Sequence, residues 1–337
     1  MKIKIFDSKN LDINKWNELL NKSHNSSVFN TLEWAKLCET SFPNTKAVFL
    51  ATENNDEFSA GLPIIEIKKL GFTNYYSMPY GHYGGVIINT KSADSKIQKL
   101  ELIAKLNKLI KKNWGILGLS DFYGELEECQ LESSGYKKLK YKTQLLTLTG
   151  NEKTIWDQFA NSTKLKIKQS KNYEVNVKFV NNEAEIQDCY KMFEDTSRKH
   201  GEDKLQFTME FYHNVFYTMK KLLRWTIARK DNKNIATTMY FIFKDTIIWL
   251  AGASYTADLK YRPNNALVWD AIKWGCNNGY KYFNFGGSPV SAEGLKKFKE
   301  SWGAKEESHW FYYKKSSRFM MFDALRNILN NPFHKYS

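Results

Sequence analysis

The residues best suited to chemistry lie close together towards the C-terminal end of the chain: Gly286-Gly287, Glu293 and the pair Phe298-Lys299. Glycines that follow a strand let a substrate approach the main chain and leave N–H groups free to meet a carbonyl or phosphate oxygen. A lysine at the rim of such a loop is a mobile point charge, suited to an anionic group or to a developing oxyanion. A carboxylate such as Glu293, or a water, can accept a proton there. The same glycine pair also fits an ordinary strand-ending turn, and the sequence leaves both readings open.

The elements that must hold these residues follow from spacing. Alternation of Tyr280, Tyr282 and Asn284 against Lys281, Phe283 and Phe285 predicts a strand over 280–285, stopped by Gly286-Gly287-Ser288-Pro289. A helical turn pattern then puts Leu295, Phe298 and Trp302 on one buried side, with Lys296, Lys297 and Lys299 on other sides. Two further segments combine rings with flexible backbone, Tyr75 to Gly85 (with Tyr80 and Tyr83) and Trp249 to Tyr255, the latter followed by Tyr261-Arg262-Pro263-Asn264. Such walls suit an extended substrate carrying sugar, peptide or nucleotide groups, the rings supplying area and the hydroxyls hydrogen bonds.

Several chemistries are excluded. There is no Gly-x-Ser-x-Gly elbow, His-Glu-x-x-His, Walker loop or strand-linked Gly-x-Gly-x-x-Gly, and the six histidines do not cluster. Cys38, Cys129, Cys189 and Cys276 are scattered without metal-ligand spacing, so no metal site and no disulfide framework is expected. The formal net charge of +14 favours polyanionic partners: nucleic acid, acidic lipid head groups or phosphorylated substrates. No window is long and apolar enough for a signal peptide or a membrane span, so a cytoplasmic protein is expected.

A chain of 337 residues suggests two domains, and the sequence carries a trace of both. Thr208-Met209-Glu210-Phe211 matches Thr31-Leu32-Glu33-Trp34, and the same ungapped shift lays Ile227-Ala228 on Leu50-Ala51, Ile235 on Phe58 and the polar turn 230–234 on 53–57. Each half reads as a helix, a strand hairpin, a longer helix (96–112 or 266–275) and a further strand, which is an α+β unit. A basic stretch, Ser162 to Tyr173, carries Lys164, Lys166, Lys168 and Lys171, as a solvated helix face or an anion-binding strip. The last segment, from Arg318, has the pattern of a basic amphipathic helix, compatible with packing on its own domain or with a bilayer surface.

Taken together, Phe29 to Trp34, Ser77-Met78-Pro79-Tyr80 with Gly84-Gly85, Gly252-Ala253-Ser254, Arg262-Pro263-Asn264, Phe285-Gly286-Gly287-Ser288 and Gly294-Leu295 through Phe298-Lys299 to Trp302-Gly303 resemble the FemABX group, itself similar to the GNAT N-acyltransferases. The likeness runs over about residues 25 to 312. It implies two tandem GNAT-like domains, drawn here at 1–148 and 149–315 with a C-terminal helix at 316–337, and an active site in the second. It implies transfer of an acyl group to an amine, with acyl-CoA or aminoacyl-tRNA as co-substrate and neither a metal nor a tightly bound cofactor. On this pattern Lys299 and Glu293 are the catalytic candidates. Phe298, Lys36, Tyr80, Tyr83, Arg198, Tyr255, Arg262, Gly286 and Gly287 are the substrate-binding ones, Lys36 and Arg198 by their place in segments that contact the acceptor in Fem proteins. The acceptor would be an anionic glycan or peptidoglycan precursor; tRNA and the inner face of the membrane are further candidate partners, and DNA is not. The rival readings are strict Fem-type aminoacyl transfer from tRNA to peptidoglycan, and a non-catalytic module holding tRNA or an anionic glycan lipid. The chain departs from the Fem pattern after Gly84-Gly85, where Val86-Ile87-Ile88-Asn89 offers no carboxylate.

Overall fold

The computed structural model describes residues 2–79, 83–90, 94–112, 115–148, 151–201, 205, 207–289 and 292–321. The chain divides into two compact units, residues 1–141 with 308–337 and residues 142–307. The sequence boundaries at 148/149 and 315/316 differ from these because strands 137–147 and 305–315 each contribute residues to both units. Ser316 precedes the helix, residues 317–321 are helical, and 322–337 of the expected C-terminal helix lie outside the described residues.

The first unit runs β1 (Lys2–Asp7), α1 (Ile13–Lys22), α2 (Leu32–Ser41), β2 (Thr45–Asn54), β3 (Glu57–Lys69), β4 (Phe72–Ser77), β5 (Ile87–Ile88), α3 (Ser95–Lys112) and β6 (Ile116–Asp121). Asp12 caps α1, its carboxylate accepting from the Lys15 N–H at 3.1 Å, and the Thr31 hydroxyl caps α2 by accepting from the Trp34 N–H at 3.2 Å. Strand order is β1-β2-β3-β4-β6, antiparallel except for the β4–β6 pair. That parallel pair holds over three positions only, Tyr75 to Leu117 through Ser77 to Leu119. Leu62, Ile64, Leu102, Leu106 and Leu117 form the core between sheet and α3.

Strand β7 (Lys137–Thr147) leads into the second unit: α4 (Glu152–Gln158), α5 (Asn161–Asn172), β8 (Asn176–Phe179), α6 (Glu183–Lys199), α7 (Met209–Thr218), β9 (Leu223–Lys230), β10 (Lys233–Phe243), β11 (Thr246–Ser254), α8 (Pro263–Asn277), β12 (Tyr282–Asn284) and α9 (Glu293–Glu300), before β13 (Lys305–Lys315). Its order, β8-β9-β10-β11-β12, repeats that of the first unit with the same sense at every step, and its one parallel pair, β11–β12, again holds over three positions. Both hairpins turn through two residues of positive φ, Asn55-Asp56 and Asp231-Asn232, the geometry that matches strand twist. The duplication is therefore real, but not ungapped as the sequence suggested. The turns align with a shift one residue shorter than the helix caps Thr31 and Thr208, and bulges at Thr52/Glu53 and Asn234/Ala236 sit beside them.

Two expectations near the C-terminal motif are corrected. The strand covers only 282–284, and its alternation fails: Phe283, Asn284 and Phe285 are all buried, because the Asn284 amide finds partners inside. On α9, Lys299 is the buried residue and Leu295 is 39% exposed, while Trp302 is fully buried but lies beyond the helix end.

In the first unit the gap where β4 and β6 part is filled by the unit's own chain. Gly84 lies against the Ser77–Met78 backbone and Gly85, at φ +103°, against the Ser120 carbonyl, where an added Cβ would sit 2.2 Å from that oxygen. The segment is held there by Asn25, whose amide donates to the Val86 carbonyl at 2.8 Å, and by Ser77, whose hydroxyl accepts from the Gly85 N–H at 2.9 Å. Gly85→Ala is therefore expected to destabilise the protein by about 2–4 kcal/mol in urea unfolding, against ~1 kcal/mol for Gly71→Ala, where φ is also positive but the space is open.

Candidate active site in the second unit

The second unit has the same parting of strands. Pairing of β11 with β12 ends at Ile248 and Asn284, whereas β11 runs on to Ser254 along β10. A bulge at Met239/Tyr240 bends β10 beside this point. Parallel neighbours that twist apart leave main-chain N–H and C=O groups of the longer strand to be met by something else. Past Asn284 the chain turns away at Gly286, φ +71°, where an added Cβ would stand 3.6 Å from the Trp249 carbonyl oxygen.

The loop at this mouth is fixed from three directions. The Asn284 side-chain oxygen accepts from the Gly286 N–H at 2.8 Å and from the Thr143 hydroxyl at 2.7 Å. On the β7 side, the Gln144 carbonyl accepts from the Phe285 N–H at 2.8 Å, and the Gln144 N–H donates to the Gly286 carbonyl at 3.3 Å. From α9, the Lys299 ammonium donates to the Gly286 carbonyl at 3.0 Å and the Gly287 carbonyl at 2.5 Å. Lys299 is 3% exposed, and burial brings its pKa down to about 8. Among the described residues no carboxylate offsets that burial, so the two carbonyls are what hold the ammonium there. Behind the loop, Phe298 packs against Trp249 and Trp302, with ring centroids 6.1 and 6.0 Å apart, over a core that includes Phe283 and Phe285.

The structure thus brings together Gly286, Gly287, Phe298 and Lys299. The Gly286 N–H is already engaged by Asn284, so of the two glycines only the Gly287 N–H has no bonded partner among the described residues. Glu293 is on the same helix as Lys299 but faces solvent, 2.8 Å from Lys297 in an i,i+4 pair, a placement that does not favour it as a base. Arg262, left-handed at φ 59°, caps α8 and donates to the Gln169 side chain at 3.1 Å. Tyr255 lies in a separate open depression of about 600 Å³ with Asp188, Asp195, Arg229, Lys233 and Asn234, its phenol pKa raised by burial first and then by those aspartates. Arg198, largely exposed, stands 3.9 Å from Asp195. In the first unit Lys36 is exposed, and Tyr83 is buried among Phe29, Phe122 and His309 as part of the chain that fills the gap there. Tyr80 lies outside the described residues. Thr143, Gln144 and Asn284 were missed by the sequence reading; the one available signal was an amide within the apolar run Tyr282-Phe283-Asn284-Phe285.

Residues 158–300 match the family model described as an acetyltransferase (GNAT) domain. Among solved structures the chain is similar to FemX, at 12% identity and a TM-score of 0.75 over 98% of this chain and 100% of that one. Residues 158–300 thus carry a GNAT acetyltransferase domain, and the chain as a whole shares the fold of FemX. It is also similar to the C-terminal domain of a putative lysylphosphatidylglycerol synthetase from Agrobacterium fabrum (11% identity, TM-score 0.59, 94% and 96% covered). A tandem GNAT protein from the clavulanic acid biosynthesis pathway is similar too (7% identity, TM-score 0.58, 93% and 98% covered). A search of curated proteins by sequence found no match. No helix among the described residues is long and apolar enough to cross a membrane.

The buried ammonium has a measurable signature. Native Lys299 loses its proton near pH 8 and an unfolded lysine near 10.5, so between these values the unfolded state binds more protons and stability rises with pH. Relative to Lys299→Met, the wild-type protein should gain roughly 3 kcal/mol across that window, read from urea midpoints at pH 7.5 and 10.5.

Proposed function

We propose that the chain transfers an acyl group from acyl-CoA to an amine on a cell-envelope glycan or peptidoglycan precursor, with the reaction at the mouth between β11 and β12. The observation that carries this reading is the edge of β11 that β12 leaves unpaired beyond Ile248, while the other edge stays on β10 to Ser254. A donor whose arm contains amides can add to such an edge as a further strand, its N–H and C=O groups meeting those of β11. An aminoacyl ester at the end of a tRNA offers no comparable extended amide chain, which favours the thioester donor. The acceptor class follows from the resemblance to Fem proteins.

In this reading the donor arm brings its carbonyl carbon to the Gly286-Gly287 loop, and a neutral acceptor amine attacks it directly. The Gly287 N–H and the positive charge of Lys299 stabilise the oxyanion, worth on the order of 10²–10³ in rate for one such donor. Lys299 also holds the two peptide planes of the loop, so the donor groups need no rearrangement as charge develops. The tetrahedral carbon then expels the thiolate, which leaves as the thiol with a proton from solvent, and the acceptor nitrogen loses its proton to water. Phe298 and the rings behind it fix the position of Lys299.

Purified protein incubated with acetyl-CoA and amino-sugar nucleotides, or with a muramyl-pentapeptide nucleotide, should release free thiol only when the amine is present. Charged tRNA under the same conditions should not be deacylated beyond its own hydrolysis. Acceptor-dependent deacylation of tRNA, without thiol release from acyl-CoA, would replace this reading with strict Fem-type aminoacyl transfer.

If the charged form of Lys299 is the active one, turnover falls as pH rises past about 8, and Lys299→Met lowers it by about 100-fold and removes that limb. A rate that instead rises through pH 8 would make Lys299 a base.

A further inference from the structure

Helix α5 is the basic stretch noted in the sequence, and the proposed reaction does not use it. Over its twelve residues it has four lysines and no acid. Thr163, Ile167 and Ser170 face inward; Leu165, Lys168 and Asn172, spaced i, i+3, i+7, share the outward face, with Lys164 and Lys171 along one flank and Lys166 on the other. Several other surface lysines of this unit are paired, Lys233 with Asp258 at 2.8 Å, Lys281 with Asp245 at 3.3 Å, Lys297 with Glu293 at 2.8 Å. Among the described residues Lys166, Lys168 and Lys171 make no ion pair, and Lys164 reaches only the Asp157 carbonyl, at 3.3 Å.

The charged face continues past the helix. Tyr173, its C-cap, is 42% exposed and packs edge-on against Tyr261 at 5.5 Å. Lys260, exposed and without an ion pair among the described residues, stands 5.1 Å from the Tyr261 ring; Lys230 stands 5.5 Å from it and is paired with Asp231. The bond from Arg262 to Gln169 ties α5 to the start of α8, so the face is one with the body of the unit.

We infer that this face docks on a bilayer bearing anionic head groups. The lysines supply attraction to negative charge, but they do not distinguish a lipid surface from a nucleic acid. Leu165 does. It is 57% exposed at the centre of the outward face, ringed by cations, and a phosphate backbone offers it nothing, whereas the boundary between head groups and acyl chains buries it while the lysines snorkel outward. Tyr173 and Tyr261, each with an apolar ring and a polar tip, suit the same depth. The inference is independent of the acyl-transfer reading, because its readout is binding alone.

The test is co-sedimentation of the full chain with phosphatidylcholine vesicles, with and without phosphatidylglycerol. Binding is expected only to the anionic vesicles, and replacing Lys166, Lys168 and Lys171 by Gln together should weaken it about 100-fold, on the order of five-fold per lysine. A variant losing the same charge elsewhere, Lys2→Gln with Lys9→Gln and Lys46→Gln, should bind nearly as wild type. Leu165→Ser should weaken vesicle binding several-fold and leave affinity for a duplex RNA probe unchanged. The inference fails if anionic vesicles are not bound, if both triple variants lose binding equally, or if Leu165→Ser is without effect while the α5 triple variant loses RNA. All substituted side chains are exposed or half-exposed, and thermal melts of each variant verify folding.

Discussion

Two parallel strands that pair for three residues and then diverge set the problem that the rest of each unit answers. Every main-chain N–H and C=O beyond the last shared rung needs a partner, and burial without one costs as much as a lost hydrogen bond. The first unit answers with its own chain: Gly84 and Gly85 press against the ends of β4 and β6 at distances no Cβ would permit, and Asn25 and Ser77 hold them there. The second unit ends β12 at once in a left-handed glycine and leaves β11 running on. One topology, written twice, thus has two different fillings, and the difference rests on which loop the glycines belong to.

The loop in the second unit is stiff for reasons that are mostly polar. Thr143, Gln144 and Asn284 engage its N–H and C=O groups, and a lysine from α9 closes it from the other side. Burying an ammonium without a carboxylate is expensive, and the depressed pKa of Lys299 records that expense. A purely structural clamp could be built more cheaply from a neutral amide. Keeping a charge there suits a reaction in which negative charge appears on an oxygen beside it, and this is the physical link between the fold and the function proposed.

Much of this was legible in the chain. Helices that start after Thr31 and Thr208, hairpins turning at Asn-Asp and Asp-Asn, and the motif from Phe285 to Trp302 are local signals, set by residue type and backbone preferences within a few residues. The errors were of another kind. Leu295 and Lys299 exchanged their expected places because helical spacing says which residues share a face, not which face meets the core. Tyr83 looked like a pocket wall and is packed inside, because rings beside glycines suit a plug as well as a cleft. Thr143 and Gln144 carry no signal at all, since their meaning comes from a strand far away in sequence.

By itself, then, the sequence determined an α+β unit present twice, the absence of hydrolase, kinase and dinucleotide motifs, and the neighbourhood in which Lys299 and the glycine pair belong. These follow from periodicity, turn chemistry and residue type, which act locally. Only the tertiary structure decided which parting of strands is filled by chain, that Lys299 points inward onto two carbonyls, and that α5 turns an unpaired cationic face outward. Those outcomes depend on contacts between segments distant along the chain, and no local preference encodes them.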